Sequence, residues 1–184
     1  MKKTLRLMLV ALLAFGMFAC GEKKLTEDDL KKAEETLFNE DQSVNEAVAP
    51  DVAEKYIRFA KQNPDFPTSA NWMYNAFEIY VLLKDVDNSQ RVCDMLVEKY
   101  PQSKWTPRAL YLLGSFIYED QLKDLDKARE LYERVINDYP DCDVIPSVQS
   151  SLKYLGWSAE EIMGDIMMSQ MDVEEGVWDI EEVE

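Results

Sequence analysis

The chain has 184 residues, of which 47% are hydrophobic, enough for one compact domain with a buried core. Its 36 acidic residues outnumber its 20 basic residues, and the formal net charge is −16. A surface of this kind repels nucleic-acid phosphates and anionic lipid head groups, so we expect no nucleic-acid partner. The chain has no histidine, which removes the commonest general base and the commonest zinc ligand.

The N-terminus has the pattern of a secretory signal. A basic segment over residues 1–6 precedes an uncharged, largely apolar run over residues 7–19. This run is too short to cross a bilayer as a helix, which needs about 20 apolar residues. A basic start, a short apolar middle and a small final residue together predict a signal peptide over residues 1–19.

Cys20 follows this run directly, in the sequence Ala19-Cys20-Gly21. The arrangement resembles the lipobox of bacterial lipoproteins. The resemblance implies a diacylglycerol on the Cys20 thiol, cleavage before Cys20 and acylation of its new amino group, and several acyl chains anchor a protein stably. We therefore expect a lipoprotein with a short tether over residues 20–25. Because Gly21 is not the aspartate that retains lipoproteins at an inner membrane, the expected location is the outer membrane, facing the periplasm. Display on the cell surface is the alternative orientation. An ordinary signal peptide followed by an incidental cysteine is the alternative to lipidation.

The middle of the chain contains an internal repeat. Residues 70–101 align without gaps on residues 109–140, an offset of 39. A fainter copy upstream ends at Pro64. The sequence therefore predicts three repeats of two helices each, over residues 26–64, 65–101 and 102–140. The identical pairs are Ala70/Ala109, Phe77/Phe116, Leu83/Leu122, Lys84/Lys123, Asp85/Asp124, Asp87/Asp126, Tyr100/Tyr139 and Pro101/Pro140.

The last copy shows the two-helix pattern most clearly. Thr106 can cap a first helix that begins at Pro107, and residues 120–124 form a polar break before a second helix that ends before Pro140. One apolar stripe per helix cannot be buried within a single pair, so neighbouring pairs must stack into a solenoid. The stripe residues are Ala109, Leu110, Leu113, Phe116 and Ile117 in the first helix, and Ala128, Leu131, Tyr132, Val135 and Ile136 in the second.

The spacing in this copy resembles that of the tetratricopeptide repeat, with Leu110-x-x-Leu113-Gly114-x-x-x-Tyr118, then Ala128-x-x-x-Tyr132-x-x-Val135 and Pro140. The resemblance implies an all-α, right-handed solenoid of about three helical hairpins, which binds peptides or protein surfaces on a concave wall of first helices. For Tyr111, packing on the neighbouring repeat is the alternative. The first-helix residues left over by the apolar stripe are the candidate binding residues: Arg108, Tyr111, Ser115, Tyr118 and Glu119, with Asn71 and Asn75 in the middle copy.

Further helices are predicted on both sides of the repeats. A capping box at Thr26 opens a helix with Leu30, Ala33, Leu37, Val44 and Val48 inward. Residues 141–170 form capping helices, one of them stopped by Gly156 and the next begun by Ser158. Residues 171–184 contain seven acids and no base and predict a disordered tail. In this tail, Trp178 and Ile180 are candidate contacts for a basic, apolar groove on a partner; a tail that only aids solubility is the alternative.

Catalytic motifs are missing from the sequence. It has no phosphate-binding glycine loop, no paired-cysteine metal motif and no serine nucleophile elbow. We expect the many carboxylates to be solvated outer faces of helices, and we expect no catalytic residue, no cofactor and no metal. Cys93 lies on an apolar stripe and Cys142 in a loop. An oxidising envelope compartment permits a disulfide between them, although a core and a loop cysteine seldom meet its geometry.

The architecture suggests an adaptor rather than an enzyme. It resembles that of the repeat-bearing lipoprotein of the outer-membrane protein assembly machine, and that of the periplasmic repeat proteins that coordinate envelope division. Other envelope proteins or peptides are the expected partners. The alternative of a different class is a lipoprotein that binds a small ligand or hydrolyses a substrate.

Overall fold

The computed structural model describes residues 24–178, and the side chains as far as residue 170. The described chain is helical, and its one β-type contact is an isolated bridge between Phe38 and Val44. No helix in this part of the chain is both long enough and apolar enough to cross a bilayer. The helices are α1 (Glu27–Glu34), α2 (Ala49–Gln62), α3 (Ser69–Leu82), α4 (Val86–Lys99), α5 (Trp105–Leu112), which continues as a π-helix (Leu113–Gln121), α6 (Leu125–Asp138), α7 (Ile145–Lys153) and α8 (Ala159–Trp178).

The helices form hairpins that stack side by side. Helix α3 packs against α2 on one side and α4 on the other, and α6 packs against both the π-helix and α7. The first helices of neighbouring hairpins, α3 and α5, also touch. One continuous core of buried apolar residues extends from Leu30 to Leu155. The predicted all-α solenoid of helical hairpins is therefore confirmed.

The turn inside each hairpin is built in the same way in both clear repeats. Lys84 and Lys123 adopt the left-handed region, with φ of 55° and 57°. The next residues, Asp85 and Asp124, cap α4 and α6 by accepting hydrogen bonds from the main-chain amides three residues later. The identical Lys-Asp pairs in the sequence therefore mark a turn and a helix cap.

The first helices do not follow the predicted offset of 39. Ser69 and Thr106 are fully buried and hold the same position, 37 residues apart. Each hydroxyl donates a hydrogen bond to a main-chain carbonyl six residues earlier, over 2.5 Å to Asn63 and 2.6 Å to Tyr100. Helix α5 begins at Trp105, so Thr106 lies in its first turn and is not the predicted N-cap.

The difference of two residues is absorbed by the π-helix, whose wider turns hold more residues each. The ungapped alignment pairs Phe116 with the buried Phe77, but the Phe116 side chain is 54% exposed. The prediction that Phe116 faces the core is therefore wrong. In the corrected register Gly114 is the partner of Phe77, and Ile117 that of Tyr80.

The first helix is shorter than predicted. The capping box is confirmed, because Thr26 accepts a hydrogen bond from the Asp29 amide and the Asp29 carboxylate accepts one from the Thr26 amide. Helix α1 nevertheless ends at Glu34, and Val44 and Val48 lie outside it. The Asp41 carboxylate accepts hydrogen bonds from Ser43, which stabilises a turn in place of further helix.

The C-terminal end differs from prediction in its last part. Gly156 has φ of 82° and closes the turn after α7, and Ser158 and Glu161 form the predicted capping box of α8. Helix α8 runs to Trp178, whereas the sequence predicts disorder from residue 171. Residues 171–178 contain no proline and only one glycine, Gly176, so no residue prevents the helix from continuing. Residues 1–23 and 179–184, with Cys20 and Ile180, lie outside the described part.

Candidate protein-binding face

Helices α3 and α5 are the first helices of successive hairpins, and α7 follows them as a capping helix. The surface that these three helices share is called here the first-helix face. The contact between α3 and α5 aligns the first two helices. The Tyr111 hydroxyl lies 3.3 Å from the Ser151 hydroxyl and links α5 to α7. The face therefore spans α3 and α5 directly and reaches α7 through this side-chain contact.

Two asparagines on α3 present unpaired amide groups on this face. Asn71 and Asn75 are one helical turn apart and partly exposed, because Trp72 and Met73 between them turn to the core. Within the described residues, neither side-chain amide has a hydrogen-bond partner. Each carboxamide offers a donor and an acceptor, which match the N–H and C=O groups of an extended peptide.

An aromatic residue at the start of α5 joins neighbouring hairpins. The Trp105 ring stacks on the ring of Tyr74 from α3, with centroids 4.8 Å apart and planes 27° apart. Two cations lie over the same indole: the Lys104 ammonium at 4.8 Å and the Arg108 guanidinium at 5.2 Å from its centroid. Stacking and cation–π contacts stabilise this arrangement. We call Tyr74, Glu78, Lys104, Trp105, Arg108 and Asp143 the Trp105 cluster.

Arg108 connects the cluster to the next hairpin. Its guanidinium forms an ion pair with Asp143, in the loop before α7, and the Nε–Oδ1 distance is 3.3 Å. The hydrogen bond from Arg108 holds the pKa of Asp143 below its ordinary value. Burial raises the pKa of Glu78, although the Tyr74 hydroxyl and the Arg108 charge act in the opposite direction. The Arg108 guanidinium therefore acts on two carboxylates, Asp143 with a lowered pKa and Glu78 with a raised pKa.

Three of the predicted binding residues lie on α5 and the start of the π-helix. Arg108 belongs to the Trp105 cluster, and Ser115 is partly exposed, with its hydroxyl 3.5 Å from the Leu112 carbonyl. The Tyr111 ring lies 5.9 Å from that of Tyr132, and its hydroxyl reaches α7. Tyr111 therefore has the packing contacts that the sequence left open as an alternative.

The structure places Tyr118 apart from the other candidates, whereas Glu119 shares a partner, Tyr132, with Tyr111. The Tyr118 hydroxyl donates to Gln90 on α4 over 2.8 Å, and Glu119 accepts a hydrogen bond from Tyr132 on α6 over 2.5 Å. Both residues lie in the π-helix, which changes the direction of successive side chains relative to an α-helix. Their polar groups are engaged with second helices.

Sequence reasoning missed most of the Trp105 cluster. Tyr74, Glu78 and Asp143 reach Trp105 or Arg108 only through the stacking of hairpins, which no local pattern shows. Two local signals were available: Trp105 and Arg108 are three residues apart at a helix start, and the offset of 37 places Asn71 in the position of Arg108.

Two clefts and two cysteines of the described chain offer fewer groups that could bind a ligand or react. A cleft of about 450 Å³ is lined by one helix, α2, with mostly charged side chains, and one of about 440 Å³ lies between residues 24–28 and the end of α2. Cys93 and Cys142 are both free thiols, and burial raises the pKa of Cys93 to about 12, which leaves it unreactive. Among the described residues, no three potential metal ligands of the Cys or carboxylate type cluster.

Comparison with known proteins supports the repeat. A family model described as tetratricopeptide repeat matches residues 108–141, the copy with the clearest pattern. Neither the curated proteins nor the solved structures include a match to this chain. The match and the all-helical fold support a protein of tetratricopeptide-like repeats, a class whose members are generally non-catalytic scaffolds for protein–protein interaction.

The two carboxylates of the Trp105 cluster predict opposite pH effects. A carboxyl group whose pKa is raised on folding favours the folded state while protonated, and this contribution is lost as the pH rises through its folded pKa. Glu78→Gln should therefore raise the melting temperature at neutral pH and change it little in acid. Asp143 has a lowered pKa, so its contribution is present at neutral pH and lost on acidification.

Asp143→Asn should accordingly lower the melting temperature at neutral pH, with the deficit shrinking in acid. Thermal unfolding followed by circular dichroism across the acidic to neutral range measures both variants against the parent chain. A pH-independent shift in either variant would show that the charge state of that residue does not affect folding.

Proposed function

We propose that this chain is a lipid-anchored adaptor of the bacterial envelope that binds extended protein segments on its first-helix face. One observation carries the proposal: Asn71 and Asn75 hold unpaired amides beside the Trp105 cluster, on a surface shared by consecutive hairpins. A binding module needs such a preformed wall, since ordering the wall during binding would cost affinity.

The chemistry of the face favours a particular kind of segment. Asparagine amides pair with main-chain groups of any sequence, so they fix the direction and register of a peptide rather than its identity. The partly exposed Trp105 ring can pack against an apolar or aromatic side chain. Lys104 is exposed beside it and brings positive charge to a protein of net charge −16. We infer a preference for a segment with an apolar residue next to an acidic one.

The anchor would place this face close to a membrane. In the proposal, Cys20 carries the acyl chains, and Gly21 to Leu25 form the tether, which reaches about 17 Å when extended. The Leu25 amide donates a hydrogen bond to the Gln62 side chain over 2.9 Å, so residue 25 already belongs to the folded domain. The effective tether is therefore shorter still. A membrane protein, or a neighbour at the same surface, is the partner that such a tether favours.

Within the envelope, assembly of outer-membrane proteins is the role we favour, on the resemblance of architecture alone. Coordination of envelope division would use the same face and the same anchor, and the identity of the cross-linked partner decides between the two. A small-ligand-binding or hydrolytic lipoprotein would need a polar site in an enclosed pocket. The two clefts described above are open and lie outside the first-helix face.

Site-specific photo-crosslinking in cells tests the binding face. A benzoylphenylalanine at Asn75, on α3, should give a discrete adduct with another protein, because a bound segment would lie within reach of that side chain. The matched control is the same replacement at Asn137, an exposed asparagine on the second helix α6. Adducts of equal yield and identity at both positions would contradict a binding surface restricted to first helices.

Substitution of Cys20 tests the anchor separately. Cys20→Ser should move the protein out of the membrane fraction and abolish metabolic labelling with a palmitate analogue, because the acylated thiol is gone. The control is Cys142→Ser, which removes a partly exposed thiol of the folded domain and should leave both readouts unchanged. Labelling that persists in Cys20→Ser would refute acylation at this residue.

A further inference from the structure

Helix α8 is attached to the solenoid by its polar side. The Asp165 carboxylate accepts hydrogen bonds from the Lys153 ammonium over 2.6 Å and from the Tyr154 hydroxyl over 2.8 Å. Lys153 and Tyr154 lie at the end of α7. Apart from these bonds, α8 makes only sparse contact with the other described helices. A helix on a protein surface usually buries its apolar side instead.

Two methionines on the apolar side of α8 face away from this attachment. Met163 and Met167 are each two residues from Asp165, which places them about 200° around the helix from it. Their side chains are 59% and 60% exposed, and that of Ile166 is 42% exposed. Ile162, at the edge of the same side, is half-buried. We call Ile162, Met163, Ile166 and Met167 the methionine strip.

The charge around the methionine strip is of one sign. Glu160 and Glu161 precede it and are exposed. From residue 154 to residue 184 the chain has ten acids and neither lysine nor arginine. Lys153 comes before this stretch and is already paired with Asp165. A ligand for the strip must therefore bury apolar groups in acidic surroundings, which a cationic apolar partner does best.

We propose that the methionine strip binds an amphipathic helix of a partner protein, whose apolar side is bordered by lysine or arginine. Unbranched methionine side chains adapt to varied apolar surfaces, and helices recognise one another through residues three and four positions apart. A second copy of this chain would bring its own acidic residues against the strip, and anionic lipid would add further negative charge. This site is separate from the first-helix face and does not depend on the function proposed for it.

Fluorescence anisotropy with synthetic peptides tests the proposal on the full chain carrying Cys20→Ser, which excludes binding through an acyl anchor. The probe is a labelled helix of about 18 residues, or five turns, with leucine on one side and lysine on the other. The control peptide has glutamate in place of each lysine. The parent chain should bind the lysine peptide and not the glutamate peptide.

Paired methionine variants separate apolar contact from charge attraction alone. Met163→Gln/Met167→Gln keeps every charge and should weaken binding of the lysine peptide at least about tenfold. Met168→Gln changes an equally exposed methionine that lies off the strip and should change the affinity by no more than about twofold. Because all three side chains are exposed, the variants should keep the parent melting temperature. Equal binding by the double variant and the parent would overturn the proposal.

Further measurements address the charges and the other occupants. Glu160→Gln/Glu161→Gln leaves the strip intact and should weaken both the binding of the lysine peptide and its salt dependence. An affinity that neither this substitution nor salt changes would contradict the proposal.

Asn71→Ala/Asn75→Ala should not alter peptide binding, which separates this site from the first-helix face. A dimer of the parent chain that Met163→Gln/Met167→Gln converts to monomer in sedimentation would assign the strip to a second copy. Flotation with phosphatidylcholine vesicles that requires the same methionines would assign it to lipid.

Discussion

The close approach of α6 to the first helix of its hairpin rests on one pair of residues, Gly114 and Tyr132. A Cβ atom at Gly114 would lie only 2.8 Å from the Tyr132 ring, which is fully buried. The same ring contacts Tyr111, and its hydroxyl donates to Glu119. Tyr132 thereby fixes the distance between the two helices. The other contacts of the last hairpin, including the link from Tyr111 to α7, depend on that spacing.

The first-helix face is a consequence of this packing rather than an addition to it. Buried hydroxyls at Ser69 and Thr106 tie the start of each first helix to the end of the preceding helix. With that start fixed, Trp105 comes under Tyr74, and Arg108 comes within reach of Asp143. The two extra residues of the last repeat lie further along its first helix, within the π-helix. The polar residues that remain on the outside, such as Asn71, form the surface available to a partner.

The sequence predicts those features that a local pattern encodes. Apolar spacing gave the helices, Thr26 and Ser158 gave two helix caps, and the stripe of α3 left Asn71 and Asn75 as candidates. The prediction that Phe116 faces the core failed because the ungapped alignment pairs it with Phe77. The π-helix shifts the true register by two residues, and an ungapped alignment cannot show that shift. Tyr74 and Asp143 could not be predicted, since both contacts cross between hairpins. In α8, the apolar residues look like a core stripe, but the structure leaves Met163 and Met167 exposed and attaches the helix through Asp165 instead.

We infer that the stacked hairpins form one cooperative unit, which keeps the first-helix face in place. Hydrogen exchange of Gly114→Ala and Gly164→Ala tests it most directly. The first substitution crowds Tyr132 and should cost about 1–3 kcal/mol, more than the roughly 1 kcal/mol that alanine adds in helix propensity. The second places a methyl group in open space on α8. We predict that Gly114→Ala accelerates exchange across α3, α4, α5 and α6 together, while Gly164→Ala slows exchange in α8 alone. Faster exchange confined to α5 and α6 would contradict a shared core.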